Sequence, residues 1–133
     1  MTDKLTGRCF CGAVHFAVAG PESFACFCYC DSCQRAAGAP VVAWATYGRD
    51  TFEVTRGSLC WRASSRGVTR GHCATCGSSV TYEHAKRAGE IDISVNTLDD
   101  PTAPVIRAHI WTEDKQPWYA IGDDLPVFER GVI

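Results

Sequence analysis

Cys9-Phe10-Cys11-Gly12, near the start of the chain, has a counterpart far along it in Cys73-Ala74-Thr75-Cys76-Gly77. Each is a close pair of thiols followed directly by glycine. A small residue at that place lets backbone amides turn toward the sulfurs, which lowers the cost of holding thiolate charge around a metal. Joining the two pairs closes a loop of about 60 residues, and the logarithmic entropy term for that closure is roughly 4 kcal/mol. A structural zinc contributes on the order of 10–16 kcal/mol. Cys9, Cys11, Cys73 and Cys76 are therefore expected to form a single four-thiolate zinc site that staples the N-terminal strand to the later sheet.

Between these pairs stands Cys28-Tyr29-Cys30-Asp31-Ser32-Cys33. Its three thiols can converge on one ion, and the third sits at the start of a helical turn, where free amides and the helix dipole favour thiolate. An open fourth position is what separates a catalytic zinc from a structural one. Cys28, Cys30 and Cys33 are thus the candidate catalytic site, and two zinc ions per chain are expected. Cys26 is the residue able to close it. In an extended strand Cys26 shares a face with Cys28, but two residues span about 6.6–6.8 Å. Cys26 would then lie far from Cys30 unless the chain bends at Cys28, and a helix cap places the bend nearer Cys30 and Asp31. Cys60 has no close thiol neighbour and reads as a buried small hydrophobe.

Nine cysteines are an odd number, so full disulfide pairing within one chain is excluded. No apolar run is long enough for a signal peptide or a membrane helix. The expected location is a reducing cytoplasm, where clustered cysteines mean metal or redox chemistry. A thioredoxin-type pair would need a βαβ setting, which neither Cys30-Cys33 nor Cys73-Cys76 has. The formal charge of −2 argues against a nucleic-acid binder working by phosphate neutralisation, and seven thiolates against two divalent ions make the balance more negative still. No nucleic-acid or membrane partner is implied.

The rest of the chain reads as short strands in one domain spanning residues 4–130. With 46% hydrophobic residues it can bury a real core. Ala13 to Val18 alternates, with Val14, Phe16 and Val18 on one face. Further β-rich runs are 41–47, 51–55, 58–62, 80–82, 91–95 and 106–112. A single short helix is predicted from Cys33 to Ala37, capped by Asp31 or Ser32 and ended by Gly38. Residues 117–128 read as packing residues, and Trp44, Trp61, Trp111 and Trp118 as core or pocket wall. The fold class is mainly β with one minor helix.

Taken in order, Cys-x-Cys, Cys-x-Cys-x-x-Cys and Cys-x-x-Cys form a highly specific set. Together with Gly7-Arg8-Cys9, Arg70-Gly71-His72-Cys73, Leu98-Asp99-Asp100-Pro101, Pro117-Trp118 and Leu125-Pro126-Val127-Phe128, they make the chain resemble the glutathione-dependent formaldehyde-activating enzymes, also called the centromere-protein-V family. The resemblance covers nearly the whole chain. It implies an Mss4-like, or β-tent, fold, a structural zinc on Cys9, Cys11, Cys73 and Cys76, and a catalytic zinc on Cys28, Cys30 and Cys33. The implied reaction joins glutathione and formaldehyde into S-hydroxymethylglutathione, formally a carbon–sulfur lyase reaction. Tyr29 departs from the family's frequent His, and His72 from its usual aromatic residue.

An open Cys₃ zinc can hold a substrate thiol as thiolate or polarise a carbonyl. Three thiolates already donate strong negative charge, which favours the thiolate role, with a small thiol and a small aldehyde as partners. Tyr29 and Asp31 lie nearest the ligands as acid–base candidates, and His109 reads as a hydrogen-bonded structural residue. The alternative is a non-enzymatic zinc module in which Cys26 closes the second site and both sites are structural.

Overall fold

The computed structural model describes residues 3–131 of the 133-residue chain. Among the described residues there are ten strands and one α-helix. Strands β1 (Asp3–Arg8), β2 (His15–Gly20) and β5 (Glu53–Arg56) form a three-stranded sheet in the order β1-β2-β5. The remaining strands are β3 (Phe24–Cys28), β4 (Val42–Gly48), β6 (Leu59–Ser65), β7 (Val68–Cys73), β8 (Ser79–His84), β9 (Glu90–Ser94) and β10 (Ala108–Ile110). They form a seven-stranded sheet in the order β10-β3-β4-β9-β8-β7-β6. Its pairings are antiparallel except β10 against β3, which is parallel.

The period-2 alternation of β-strands sorts the large sheet into two faces. Cross-strand partners Ala25 and Ala45, Ala45 and Ile93, and Tyr47 and Ile91 share one face. These residues join Val14, Phe16 and Val18 from the small sheet in the main core. Phe24 opposite Thr46, Cys26 opposite Trp44, and Thr46 opposite Asp92 share the other face. There a second, smaller cluster forms from Cys26, Cys28, Cys33 and Trp44. One face of the sheet makes the protein stable, and the other makes a site.

The mainly β reading with one helix holds, and the predicted face of Val14, Phe16 and Val18 is buried. Strands β1 and β7 are absent from the sequence reading, and β3 enters it only as the extended setting considered for Cys26 and Cys28. β1 carries Leu5 as its one large hydrophobe, and β7 reads as a metal knuckle because Arg70-Gly71-His72 interrupts its apolar pattern. Both are settled by pairing rather than by their own composition: β1 pairs with β2 over its whole length, and β7 lies between β6 and β8. Helix α1 (Asp31–Ala37) ends at Gly38 in the left-handed conformation, as expected. Its N-cap is Cys30 rather than Asp31 or Ser32, because the Cys30 sulfur accepts from the Cys33 amide at 3.3 Å.

The tail departs from the packing role expected of it. Trp118 is 71% exposed and Val127 is also exposed. The segment instead lies along the edge of β10, where the His109 amide donates to the Pro126 carbonyl and the Phe128 amide to that of His109, each at 2.9 Å. Trp61 is partly exposed on the edge strand β6, and Cys60 is half-buried rather than a core residue.

Candidate metal centres and substrate cavity

The two cysteine pairs meet although they lie at opposite ends of β-structure. Cys9 and Cys11 follow β1, Cys73 ends β7, and Cys76 follows in the next turn. The four sulfurs lie within 4.8 Å of one another. Cys9 to Cys11 is 3.7 Å and Cys11 to Cys73 is 3.8 Å. A tetrahedron of sulfurs about 2.3 Å from a central zinc has an edge of about 3.8 Å. The backbone serves the same end: amides of Ala13, Val14 and Cys76 point at the Cys11, Cys9 and Cys73 sulfurs at 3.3–3.4 Å. Gly12 and Gly77 take φ of +80° and +81°, a conformation open to glycine and rare for other residues. Hydrogen bonds from Ser78 hold the Cys76 thiol down at about 5. This donor set suits a tetrahedral, thiolate-binding ion.

The triplet forms where β3 runs into α1. Cys28 closes the strand, Cys30 caps the helix and Cys33 occupies its first turn. Their sulfurs also lie within 4.8 Å of one another. Hydrogen bonding from Cys28 and then Cys30 pushes the Cys33 thiol down to about 2, and the nearby Arg70 charge acts in the same direction. Cys28 is pushed strongly up, because it shares protons with Cys30 and Cys33 and is buried. The cluster therefore already stores negative charge. Arg70, which entered the sequence reading only within the Arg70-Gly71-His72-Cys73 motif and with no role at the site, supports that charge with a guanidinium 4.0 Å from the Cys33 sulfur, and its side chain lies over the Tyr82 ring at 4.9 Å.

Cys26 lies on the same sheet face and lines the same cavity, but stands outside the three-sulfur group. Burial, and then the Asp92 charge, raise its thiol to about 12.

A cavity of about 330 Å³ opens over the triplet. Phe24, Trp44, Tyr82, Ile110 and Trp111 supply its apolar walls, and Thr46, Arg87 and Asp92 its polar end. Trp44 and Trp111 keep the predicted wall role, whereas Trp61 and Trp118 do not line it. Neither sequence-level acid–base candidate reaches this space. Asp31 is exposed and paired with Arg35 at 3.0 Å. Tyr29 is buried and does not line the cavity, its hydroxyl 2.7 Å from His109 Nδ1, while His109 Nε2 lies 2.8 Å from Asp123 Oδ1. The phenol donates to Nδ1 and the Nε2–H donates to the carboxylate, an arrangement that satisfies both ring nitrogens. His109 thus has the structural, hydrogen-bonded role expected of it.

The fold and its two thiol clusters define a cysteine-rich β protein with one four-sulfur and one three-sulfur group, each a candidate metal centre. Residues 4–114 match the family of the glutathione-dependent formaldehyde-activating enzyme, and the chain belongs to that family. It is 29% identical over 126 residues to a Halomonas elongata protein named "Putative glutathione-dependent formaldehyde-activating enzyme", covering 88% of this chain and 80% of that one. A crystal structure of a Rhodobacter sphaeroides protein superposes with a TM-score of 0.59 at 27% identity, over 71% of this chain and 87% of the other. No helix among the described residues is long and apolar enough to cross a membrane.

Proposed function

We propose that the chain catalyses addition of a thiol to a small aldehyde at Cys28, Cys30 and Cys33, with zinc in both cysteine clusters. Glutathione and formaldehyde are the pair that the family name supplies, and the product would be an S-hydroxymethyl thioether, formally a carbon–sulfur lyase product. The observation that carries this reading is the three-sulfur cluster with a cavity above it and Cys26 outside the group. When bound, zinc would supply an open position at which a substrate sulfur stays deprotonated at neutral pH.

The chain's own residues do the rest. Arg70 and the first turn of α1 stabilise the anionic cluster and keep its sulfurs convergent. The aromatic walls exclude water from the reacting carbonyl and so strengthen the electrostatic interactions around it. Thr46 donates its hydroxyl hydrogen to Asp92 at 2.6 Å, which leaves the Tyr82 phenol as the free hydroxyl donor on the wall. Burial pushes the Tyr82 phenol up, so it keeps its proton and is suited to hydrogen-bond the aldehyde oxygen as charge develops there.

The deciding experiment is zinc per chain, measured on protein purified under reducing conditions beside Cys26→Ser. Two zinc in both proteins supports the open site. Loss of one zinc in Cys26→Ser would show a closed, four-thiolate site and a binding module in place of an enzyme. Cobalt substitution adds a direct readout, since the visible spectrum of an open site shifts on addition of a thiol.

A further inference from the structure

We infer that Gln34 is a positioning residue for the three-sulfur group: it ties the peptide between Cys28 and Cys30 to the segment that walls the cavity. This inference rests on the metal and thiol–aldehyde reading of that group and adds what holds its sulfurs in place.

Thiolates gathered around one point repel one another, so the loop that carries them needs restraint from outside. Tyr29, the residue between Cys28 and Cys30, is tied through its N–H, its hydroxyl and its carbonyl. The N–H donates to the Ile110 carbonyl at 3.0 Å, the hydroxyl to His109 Nδ1 at 2.7 Å, and the carbonyl accepts from Gln34 Nε2 at 2.6 Å. Gln34 follows Cys33 directly on α1, and its half-buried amide reaches back across the loop. The other Nε2 hydrogen goes to the Asp114 carbonyl at 2.9 Å, and Oε1 accepts from Gln116 Nε2 at 2.9 Å. Backbone carbonyls can only accept, so the amide has one workable orientation and both of its hydrogens are used. A single side chain thus joins the ligand loop to Asp114 and Gln116.

The same segment builds the cavity. Ile110 and Trp111 belong to its wall. Trp111 takes φ of +58°, the one non-glycine residue with positive φ among the described residues. A bulky residue adopts that conformation at a cost and keeps it only where surrounding contacts impose it. Beyond that turn the chain reaches α1, where Asp114 Oδ2 accepts from the Asp31 amide at 3.0 Å. A wall residue strained into place and an amide clamp just beyond it set sulfur geometry and cavity shape together.

The test uses protein loaded with zinc under reducing conditions and follows release to the chelator 4-(2-pyridylazo)resorcinol. Cys30→Ala assigns the phases, since the one it lacks belongs to the three-sulfur group. Gln34→Glu keeps the volume of the side chain, but as a carboxylate it cannot donate to either carbonyl. It should release that ion about 10–100-fold faster than wild type, the range typical for losing a bond that orients a ligand. The four-sulfur phase and the far-UV circular dichroism should stay unchanged. Arg35→Ala, at the next, exposed position of the helix, should match wild type. Should Gln34→Glu fail to fold, Gln116→Ala removes the partner of Oε1 alone and should speed the same phase about threefold or more. An unchanged phase in the variant tested, or equal acceleration of both phases or of Arg35→Ala, would overturn the inference and leave the proposed reaction standing. Faster release in the variant with no thiol–aldehyde turnover by wild type would uphold the positioning role and remove the reaction. A wild-type chain that binds one zinc would remove both.

Discussion

Tyr29 shows how a residue adjacent to two candidate ligands can serve the fold instead of the chemistry. Its neighbours in sequence suggest an acid–base role, yet its phenol is buried against His109, and burial raises it to about 12. Tyr29→Phe should cost about 1–3 kcal/mol in urea unfolding, because His109 Nδ1 loses its buried partner. The His109 N–H, and then the Leu125 amide, hold the Asp123 carboxyl below the usual carboxylate range. A depressed carboxyl contributes stability that is complete above its unfolded value near 4 and is lost as pH falls through the folded value. Asp123→Asn should therefore weaken the wild-type loss of stability in that acid window, as read from urea midpoints at pH 7, 4 and 3. For catalysis the residue to change is Tyr82. Tyr82→Phe should lower kcat by about 10²-fold with little change in KM if the phenol acts mainly on the developing charge. Tyr82 was not legible as a functional residue, since only the pairing of β8 with β9 sets it beside Asp92.

At the scale of elements, the sequence made the strongly alternating strands and the helix stop readable, because each carries its own pattern. Ala13 to Val18 and Gly38 are such cases. β1 was not readable, since what holds it is the register with β2 and a close approach at Gly7. A Cβ added at Gly7 would sit 2.3 Å from the Phe16 ring and 2.5 Å from the Thr97 carbonyl oxygen. Gly7→Ala should therefore cost about 1–3 kcal/mol through overpacking and lower the melting temperature. Unchanged melting would mean that β1 is not held against Phe16. The three-residue strand β10 was visible only as part of a longer β-rich run. Its parallel pairing with β3 is made by long-range bonds such as Tyr29 N–H to the Ile110 carbonyl at 3.0 Å. Such contacts join residues some 80 positions apart and leave no local signature.

Across the whole molecule, the seven clustered cysteines divide into two groups whose loss should differ in kind. The four-sulfur group joins the small sheet to the large one, so Cys73→Ala should leave an aggregating or unfolded chain. The triplet lies beside the smaller cluster on the outer face of the large sheet, so Cys30→Ala should leave a folded protein with one zinc fewer. Circular dichroism with metal analysis distinguishes these outcomes, and equal unfolding of both variants would make the second site structural. The grouping itself was fully legible from spacing. The cavity above the triplet was not, because its walls come from β3, β4, β8 and the segment around Trp111, which only the sheet order brings together.

The spacing of these cysteines also has a temporal side. Cys28, Cys30 and Cys33 leave the ribosome almost together, whereas Cys11 and Cys73 are 62 residues apart. At typical synthesis speeds that gap is about 3–12 s. If both clusters take metal as proposed, a nascent chain would load the local triplet at once, whereas its first two thiols would wait until the second knuckle emerges. During that interval Cys9 and Cys11 would be uncapped, so with zinc in both clusters as proposed, its supply during translation would govern the yield of correctly assembled protein.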